Sequence, residues 1–291
     1  GASSSWTLTA LPLFVWMGEI LFRTKLSENL FEGLAPWLQK LPGGLIHVNV
    51  VGCALFAAIS GSSAATVATV GKMSIPELRK RKYPEKILLG SLAGSGTLGL
   101  LIPPSIILII YGVTVQESIA KLFIAGIIPG IMIALIFMGY VIIWSLLNKN
   151  KMPLTDENFS FLNKLNKSKQ LIPVILLILG VIGSIYTGIA TATEAASLGV
   201  VGALILSYFQ KSLNLKTFKE SLLGATKTSC MIAFILAGAT FLSLAMGFTG
   251  LPRNLAIWIQ NMELSPYVLI FVLMIFYIIL GMFLDGISAV V

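Results

Sequence analysis

Charged residues are scarce in this sequence of 291 amino acids. Asp, Glu, Lys and Arg make up 11% of the chain, whereas 56% of it is hydrophobic and its mean hydropathy is +0.93. Soluble domains carry about 25% charged residues, so the composition excludes an ordinary soluble fold. The apolar runs are long and continuous, without the alternation of transmembrane β-strands. The sequence therefore predicts an all-α polytopic membrane protein.

Histidine and cysteine are almost missing, with one histidine and two cysteines. Cys53 and Cys230 stand alone in apolar runs, so we interpret them as small packing residues, and His47 as a packed or interfacial residue. The sequence contains no His-Glu-x-x-His pair and no phosphate-binding loop, so it does not support a metalloprotease or an ATPase. An intramembrane serine protease is a remote alternative, because a nucleophilic serine needs a base and His47 is the only histidine. We expect no enzyme.

Four apolar stretches are interrupted by small polar residues or prolines. The interruptions lie at Ser60–Ser63, Pro103-Pro104, Thr191–Glu194 and Asp285–Ser288. An unsatisfied backbone group costs several kcal/mol in lipid, so irregular backbone at membrane depth occurs only inside protein or beside water. Secondary transporters use such broken helices to build ion and substrate sites. The breaks therefore favour a transporter over a membrane anchor, and opposed hairpins favour alternating access over a channel.

The apolar pattern predicts six spans, two helical hairpins and four basic loops. The spans are 6–22, 87–114, 119–147, 171–187, 190–209 and 225–248, the second of them broken at Pro103-Pro104. The hairpins are 45–75 and 267–291, and the loops are 23–40, 72–86, 148–169 and 211–227. Segments 28–40 and 249–262 carry Trp37 and Trp258 and are expected to lie along the membrane surface as helices.

The distribution of positive charge predicts the topology. If 45–75 enters and leaves the membrane on one side, the four basic loops share a side and hold 18 of the 20 Lys and Arg; if it spans fully, the division is 15 to 5. The positive-inside rule favours the re-entrant hairpin and places the basic loops in the cytoplasm. Hairpin 267–291 then enters from the opposite face, as in an inverted repeat. Gly61-Ser62-Ser63-Ala64 and Gly286-Ile287-Ser288-Ala289 are matching tips.

The first tip combines two half-helix ends. The residues up to Ser60 end one half-helix, and Ser62 or Ser63 can N-cap the next. A cation there would meet carbonyl groups and hydroxyls, whereas an anion would meet free amide groups. The alternative is that these small residues serve only close helix packing.

The two adjacent prolines predict a second group of oxygen ligands. Neither Pro103 nor Pro104 can donate a backbone hydrogen bond, so carbonyls near Gly99 and Leu100 are expected to lack partners. Free carbonyl oxygens suit a hard cation such as sodium. The alternative is a proline kink whose carbonyls are satisfied by neighbouring Ser and Thr.

Two carboxylates are predicted at membrane depth, Glu194 and Asp285, and Glu19 is a weaker candidate near a span end. An intramembrane carboxylate is a functional residue by default. Glu194 follows the hydroxyl of Thr191 closely. Either carboxylate could ligate a cation, carry a proton or cap a half-helix.

Several motifs resemble one transporter family. They are His47–Val51, Ile59–Ala64, Met73–Glu77, Ile102–Ser105, Ala125–Gly130, Ala192–Ala196 and Gly281–Asp285. Together they resemble the large membrane (M, DctM-like) subunit of TRAP transporters, the tripartite ATP-independent periplasmic transporters. The likeness is greatest to the members that import sialic acid.

The resemblance implies a fold and an activity. The expected fold is an inverted repeat with two re-entrant helical hairpins and broken helices, an elevator-type transporter similar to the ion-transporter superfamily. The expected activity is sodium-coupled import of a small organic acid across the bacterial inner membrane. The expected partners are a periplasmic substrate-binding protein (P) and a small four-helix membrane subunit (Q), separate or fused. Proton coupling and a stand-alone dicarboxylate transporter are the alternatives.

The resemblance also implies site residues. It places one sodium ion among Ser60, Gly61, Ser63, Gly99, Ile102 and Pro104, and a second near Thr191 and Glu194. It places the substrate near Ser62, Ser63, Asp285, Gly286 and Ser288. No organic cofactor is expected.

The same resemblance implies domain boundaries. We expect a scaffold helix and surface arm at 1–44, a first transport half at 45–118, a second helix and arm at 225–266 and a second transport half beginning at 267–291. Residues 119–224 are expected to hold scaffold helices and a cytoplasmic linker, the Lys-rich stretch 148–169, and Thr191–Glu194 could contact the transport domain. Family members extend further at both ends, with another proline-broken helix after the second hairpin. We therefore expect that this stretch alone does not transport.

Overall fold

The structure is a computed structural model and describes residues 6–23, 26–153, 160–169, 171–284 and 286–290. All regular secondary structure in these residues is helical. The helices are α1 Ala10–Phe22, α2 Leu26–Leu38, α3 Ile46–Ser60, α4 Ser63–Lys80, α5 Glu85–Gly96, α6 Ile106–Thr114, α7 Ile119–Leu147, α8 Phe161–Ser168, α9 Ile172–Tyr186, α10 Ala192–Phe209, α11 Leu215–Thr249, α12 Leu251–Gln260, α13 Pro266–Gly281 and α14 Gly286–Val290. The all-α prediction is confirmed.

Three helices in the described part of the chain are long and apolar enough to cross a membrane, namely α7, α10 and α11. Shorter apolar helices are α1, α3 and α13. The exposed side chains on α7 include Ile128, Leu135 and Ile143, each more than half exposed. Apolar surface of this kind in a helical chain fits a multi-pass membrane protein.

The chain divides into two compact units, residues 6–226 and a second unit that contains residues 227–291. The centre of the first unit is α3, which packs against α1, α2, α4, α5 and α7. Most residues of α3 are buried, and none carries a formal charge apart from the titratable His47. A helix that is apolar on all sides can be covered on all sides, which explains its central place.

The hairpin and the broken span are both present as helix pairs. The hairpin arms α3 and α4 pack against each other with only Gly61 and Ser62 between them. The broken span consists of α5 and α6, separated by a short 3-10 turn at Thr97–Leu100 and irregular backbone up to Ser105. The break is therefore wider than the two prolines suggested.

Two of the predicted loops are wrong in extent. Helix α4 continues through Pro76 to Lys80, although a loop was expected from residue 72. Helix α11 begins at Leu215, where Asn214 Oδ1 accepts a hydrogen bond from the Thr217 N–H at 2.7 Å, although a loop was expected up to residue 227. Lysine and glutamate have good helix propensity, so charge marked the ends of the apolar runs rather than the ends of the helices.

The two predicted surface segments are helical, as α2 and α12. Re-entrance of the hairpins, the inverted repeat, the elevator plan and the domain boundaries stay predictions.

Candidate functional site

The first tip is a helix end followed at once by a helix start. Gly61 ends α3 in the left-handed conformation, with φ at +59° and its N–H donating to the Ala57 carbonyl at 3.0 Å. Ser62 is extended, and its Oγ accepts a long hydrogen bond of 3.5 Å from the Ala65 N–H. Of the two serines proposed as N-caps, Ser62 is the cap of α4.

Hydroxyl and carbonyl oxygens gather inside this turn. The Ser60 and Thr66 hydroxyl oxygens lie 2.9 Å apart. The Ser62 carbonyl accepts hydrogen bonds from the Thr66 N–H at 3.0 Å, the Thr66 hydroxyl at 2.7 Å and the Ser60 hydroxyl at 3.2 Å. Ser60 and Thr66 are buried. The sequence prediction missed Thr66, although its spacing of four residues from Ser62 placed it on the first turn of α4.

The break between α5 and α6 has its own hydrogen bonds. The Leu98 carbonyl accepts from the N–H groups of Leu101 and Ile102, at 3.1 and 2.9 Å. The Ser105 hydroxyl donates to the Leu100 carbonyl at 2.6 Å. The prediction of an unpartnered Leu100 carbonyl is therefore wrong, because Ser105 provides the donor that Pro104 lacks. Ser105 directly follows the prolines, which was the signal for this role.

The backbone of the hairpin tip packs directly against the backbone of the break between α5 and α6. A Cβ atom on Gly99 would lie 2.9 Å from the Ser62 carbonyl carbon and 3.0 Å from the Ser63 nitrogen. A Cβ atom on Gly61 would lie 2.8 Å from the Pro104 carbonyl oxygen. The Ile106 N–H donates to the Gly61 carbonyl at 3.3 Å. Glycine is required at both positions, because real Cβ atoms do not come so close to backbone.

Three further glycines allow α1 and α7 to approach this region closely. A Cβ atom on Gly18 of α1 would lie 3.0 Å from the Ser60 Cα, and one on Gly126 of α7 would lie 2.7 Å from the Leu101 carbonyl oxygen. The Ile102 side chain faces α7, where a Cβ on Gly130 would lie 2.9 Å from its Cγ1. The sequence prediction assigned no contact to these glycines; their four-residue spacing on α7 was the available signal.

The first predicted sodium site is thus brought together in part. Gly61, Ser62 and Ser63 adjoin Gly99 and Pro104 within the first unit, and Ser60 contributes its hydroxyl to the turn. The carbonyl end of α3 carries partial negative charge and the amide end of α4 partial positive charge. Hard cations take oxygen ligands, and anions take backbone amides at helix starts. The arrangement can serve a small cation on one side of the turn and a carboxylate on the other.

Thr191 and Glu194 form a capping box at the start of α10. The Thr191 N–H and hydroxyl both donate to Glu194 Oε2 at 2.8 Å, and the Glu194 N–H donates to the Thr191 hydroxyl at 3.3 Å. Both residues are exposed in the structure, and α10 packs on α1 and α9. Of the three roles considered for Glu194, the structure shows the cap.

The second predicted tip lies in the second unit. Gly286 begins the short helix α14, which contacts α13, and Ser288 is exposed. Asp285 lies outside the described residues. The substrate role of all three stays a prediction.

Comparison with known proteins identifies relatives along the whole chain. A family model described as "Tripartite ATP-independent periplasmic transporter, DctM component" matches residues 1–291. The C4-dicarboxylate TRAP transporter large permease protein DctM of Pseudomonas aeruginosa is 33% identical over 284 residues, which are 97% of this chain and 66% of the relative. The sialic acid TRAP transporter large permease protein SiaM of Vibrio cholerae is 31% identical over 291 residues, covering 99% of this chain and 67% of the relative.

A third relative is longer. The isethionate TRAP transporter permease protein DctMQ of Oleidesulfovibrio alaskensis is 32% identical over 291 residues, which are 99% of this chain and 45% of the relative. The chain thus spans about two thirds of the first two relatives and less than half of the third.

Proposed function

Because this chain belongs to the DctM component family of tripartite ATP-independent periplasmic transporters, we propose that it forms part of a permease that imports a small organic anion with sodium across the bacterial inner membrane. The family is one of membrane transporter permeases, not of enzymes. The protease alternative is therefore set aside.

The observation that carries the sodium part of the proposal is the contact between the hairpin tip and the broken span. Gly99 meets Ser62 and Ser63 with no side chain between the two backbones. Backbone oxygens and the Ser60 and Thr66 hydroxyls lie in one buried turn, where water is replaced by fixed dipoles. A cation bound here would hold the tip against the break and so prepare the adjacent amide end of α4 for a substrate carboxylate.

The substrate class rests on the anion-binding features of the turn and on the relatives. The half-buried side of the tip offers the Ser62 and Ser63 hydroxyls and the start of α4. The relatives are named for C4-dicarboxylate, sialic acid and isethionate at 31–33% identity, so identity does not separate these substrates. We propose a small organic anion, with sialic acid as the specific prediction to test first.

The proposed partners are a periplasmic substrate-binding protein and a small membrane subunit, as the word tripartite in the family description suggests. In the proposed mechanism the hairpin and the broken span move together against the scaffold helices, as an elevator. The basic loops are proposed to face the cytoplasm, following the positive-inside rule.

A second sodium ion at Thr191 and Glu194 has less support. Glu194 Oε2 already accepts two hydrogen bonds from Thr191. That site stays a prediction and has its own test below.

The deciding experiment is uptake into proteoliposomes that hold the full-length permease and its small subunit. Labelled sialic acid, succinate and isethionate are each offered with and without the binding protein and with and without a sodium gradient. We expect uptake of one acid that needs both. Uptake without the binding protein would favour a stand-alone transporter, and uptake driven by a pH gradient alone would favour proton coupling.

Ser62→Ala and Pro104→Ala connect that experiment to the site. Both variants are expected to insert normally and to lower sodium-dependent uptake. Unchanged sodium dependence in both would remove the first-site assignment.

A further inference from the structure

The linker helix α8 carries an apolar stripe that stays more than half exposed although α8 packs on α2. Phe161, Leu162 and Leu165 are 67%, 72% and 51% exposed. At helical spacing these three positions fall on one side of α8. Exposed large apolar side chains on a short, otherwise polar helix are typical of a helix that lies in a membrane interface.

Lysines accompany this stripe. Residues 148–169 contain five lysines and two acidic residues. Lys164 and Lys167 lie on α8 itself, and Lys169 directly follows it and is exposed. Basic residues next to a membrane-spanning helix attract anionic lipid headgroups.

The position of α8 is set by contacts with α2. The Trp37 Nε1–H donates to the Ser168 hydroxyl at 2.6 Å, and the Trp37 and Phe161 rings meet edge to face at 6.2 Å between centroids. The Lys164 ammonium lies 5.4 Å from the centre of the Trp37 ring. Trp37 is still 44% exposed, as expected for a tryptophan at a membrane interface. Helix α9, which begins at Ile172, continues the chain with an apolar sequence.

From these contacts we propose that α8 and the Trp37 end of α2 form a binding surface for anionic phospholipid in the cytoplasmic leaflet. The apolar stripe enters the acyl-chain boundary, and Lys164, Lys167 and Lys169 attract the lipid phosphates. The surface anchors the linker between α7 and α9. The leaflet assignment rests on the proposed orientation of the basic loops.

The test is contact quenching of Trp37 by brominated lipids in the full-length complex. The complex is placed in nanodiscs of phosphatidylcholine and phosphatidylglycerol at equal fractions, with the bromine on one lipid or on the other. The Trp37 signal is the difference between the wild type and Trp37→Phe. We expect brominated phosphatidylglycerol to quench it at least about threefold more strongly than brominated phosphatidylcholine. About 0.5 M salt should reduce this preference in the wild type, because screening weakens exposed charge contacts.

Variants assign the preference to α8. The triple change K164Q/K167Q/K169Q should abolish it, and the charge-preserving K164R/K167R/K169R should keep it. The matched control K80Q/K82Q/K86Q removes the same charge from the end of α4 and the start of α5, where all three lysines are exposed, and should also keep the preference.

Equal quenching by the two lipids in the wild type would overturn the proposal. So would a phosphatidylglycerol preference that survives K164Q/K167Q/K169Q, or one that salt does not change. No substrate is present in this measurement, so its failure is distinguishable from a failure of the uptake experiment.

Discussion

Two helix starts in this protein have the same local chemistry and opposite surroundings. At Ser62 and at Thr191, a hydroxyl residue in extended backbone caps the next helix. The Ser62 cap adjoins buried Ser60 and Thr66 and lies against the backbone of Gly99. The Thr191 cap is exposed, and its partner is its own Glu194. The difference shows that a capping hydroxyl becomes a candidate site only where a second element closes over it.

The largest effect is expected at Gly61, directly before the Ser62 cap, and Gly188, three residues before the Thr191 cap, is its control. Gly61 and Gly188 both have positive φ, at +59° and +72°, but a Cβ on Gly188 meets nothing within 4 Å. Alanine in left-handed backbone costs about 1–2 kcal/mol of conformational energy at either position. At Gly61 its Cβ also collides with the Pro104 carbonyl oxygen. We expect Gly61→Ala to lower the initial rate of sodium-dependent uptake at least about tenfold, and Gly188→Ala to stay within about twofold. Equal losses of uptake in the two variants, at equal abundance in the membrane, would contradict the proposed difference between the two caps.

A smaller effect is expected at Gly99, which contacts the hairpin tip from the broken span. Gly99→Ala places a methyl group against Ser62 and Ser63, whereas Gly90→Ala on α5 points into open space. Overpacking costs about 1–3 kcal/mol, and the lower end of this range corresponds to about fivefold in an equilibrium constant. The half-saturating sodium concentration should therefore rise at least about fivefold for Gly99→Ala and remain unchanged for Gly90→Ala. The measurement is a sodium titration of uptake. A normal titration for Gly99→Ala would show that the contact does not shape the ion site.

Ser62→Ala removes a cap and a proposed substrate contact together. Ser118 is a matched control, because its Oγ caps α7 with the same 3.5 Å hydrogen bond. Each change costs about 1 kcal/mol of helix capping. Only Ser62→Ala should also raise the KM for the transported acid, by about threefold or more. Similar KM values in the two variants would reduce Ser62 to a structural cap.

The smallest effect is expected for Glu194→Gln. Glutamine can replace glutamate in a capping box, so helix α10 should keep its start. We expect the sodium titration to shift by less than about twofold. A much larger shift would assign a cation to Glu194 and restore the predicted second site.

The sequence was sufficient for the helical class, the hairpin and the family motifs, because long apolar runs and Gly-Ser interruptions are local signals. It placed Gly61 near Pro104 only through the family resemblance. It could not show that the Ser105 hydroxyl satisfies Leu100, since that bond depends on how the chain turns after two prolines. It also missed the close approach of Gly18 and Gly126, because a glycine in an apolar helix looks the same whether or not another backbone lies beside it.

The backbone contact at Gly61 and Gly99 has a consequence for how this protein can change over time. Nearly all residues carry the same backbone carbonyl and amide groups. A site built mainly from these groups therefore depends little on which side chains surround it. The positions without room for a Cβ, Gly61 and Gly99, are restricted most strictly. Under the proposed function, specificity for a new acid can therefore arise at half-buried positions such as Ser63 while the two glycines stay unchanged. A saturation library should tolerate many residues at Ser63 and almost none at Gly61 or Gly99.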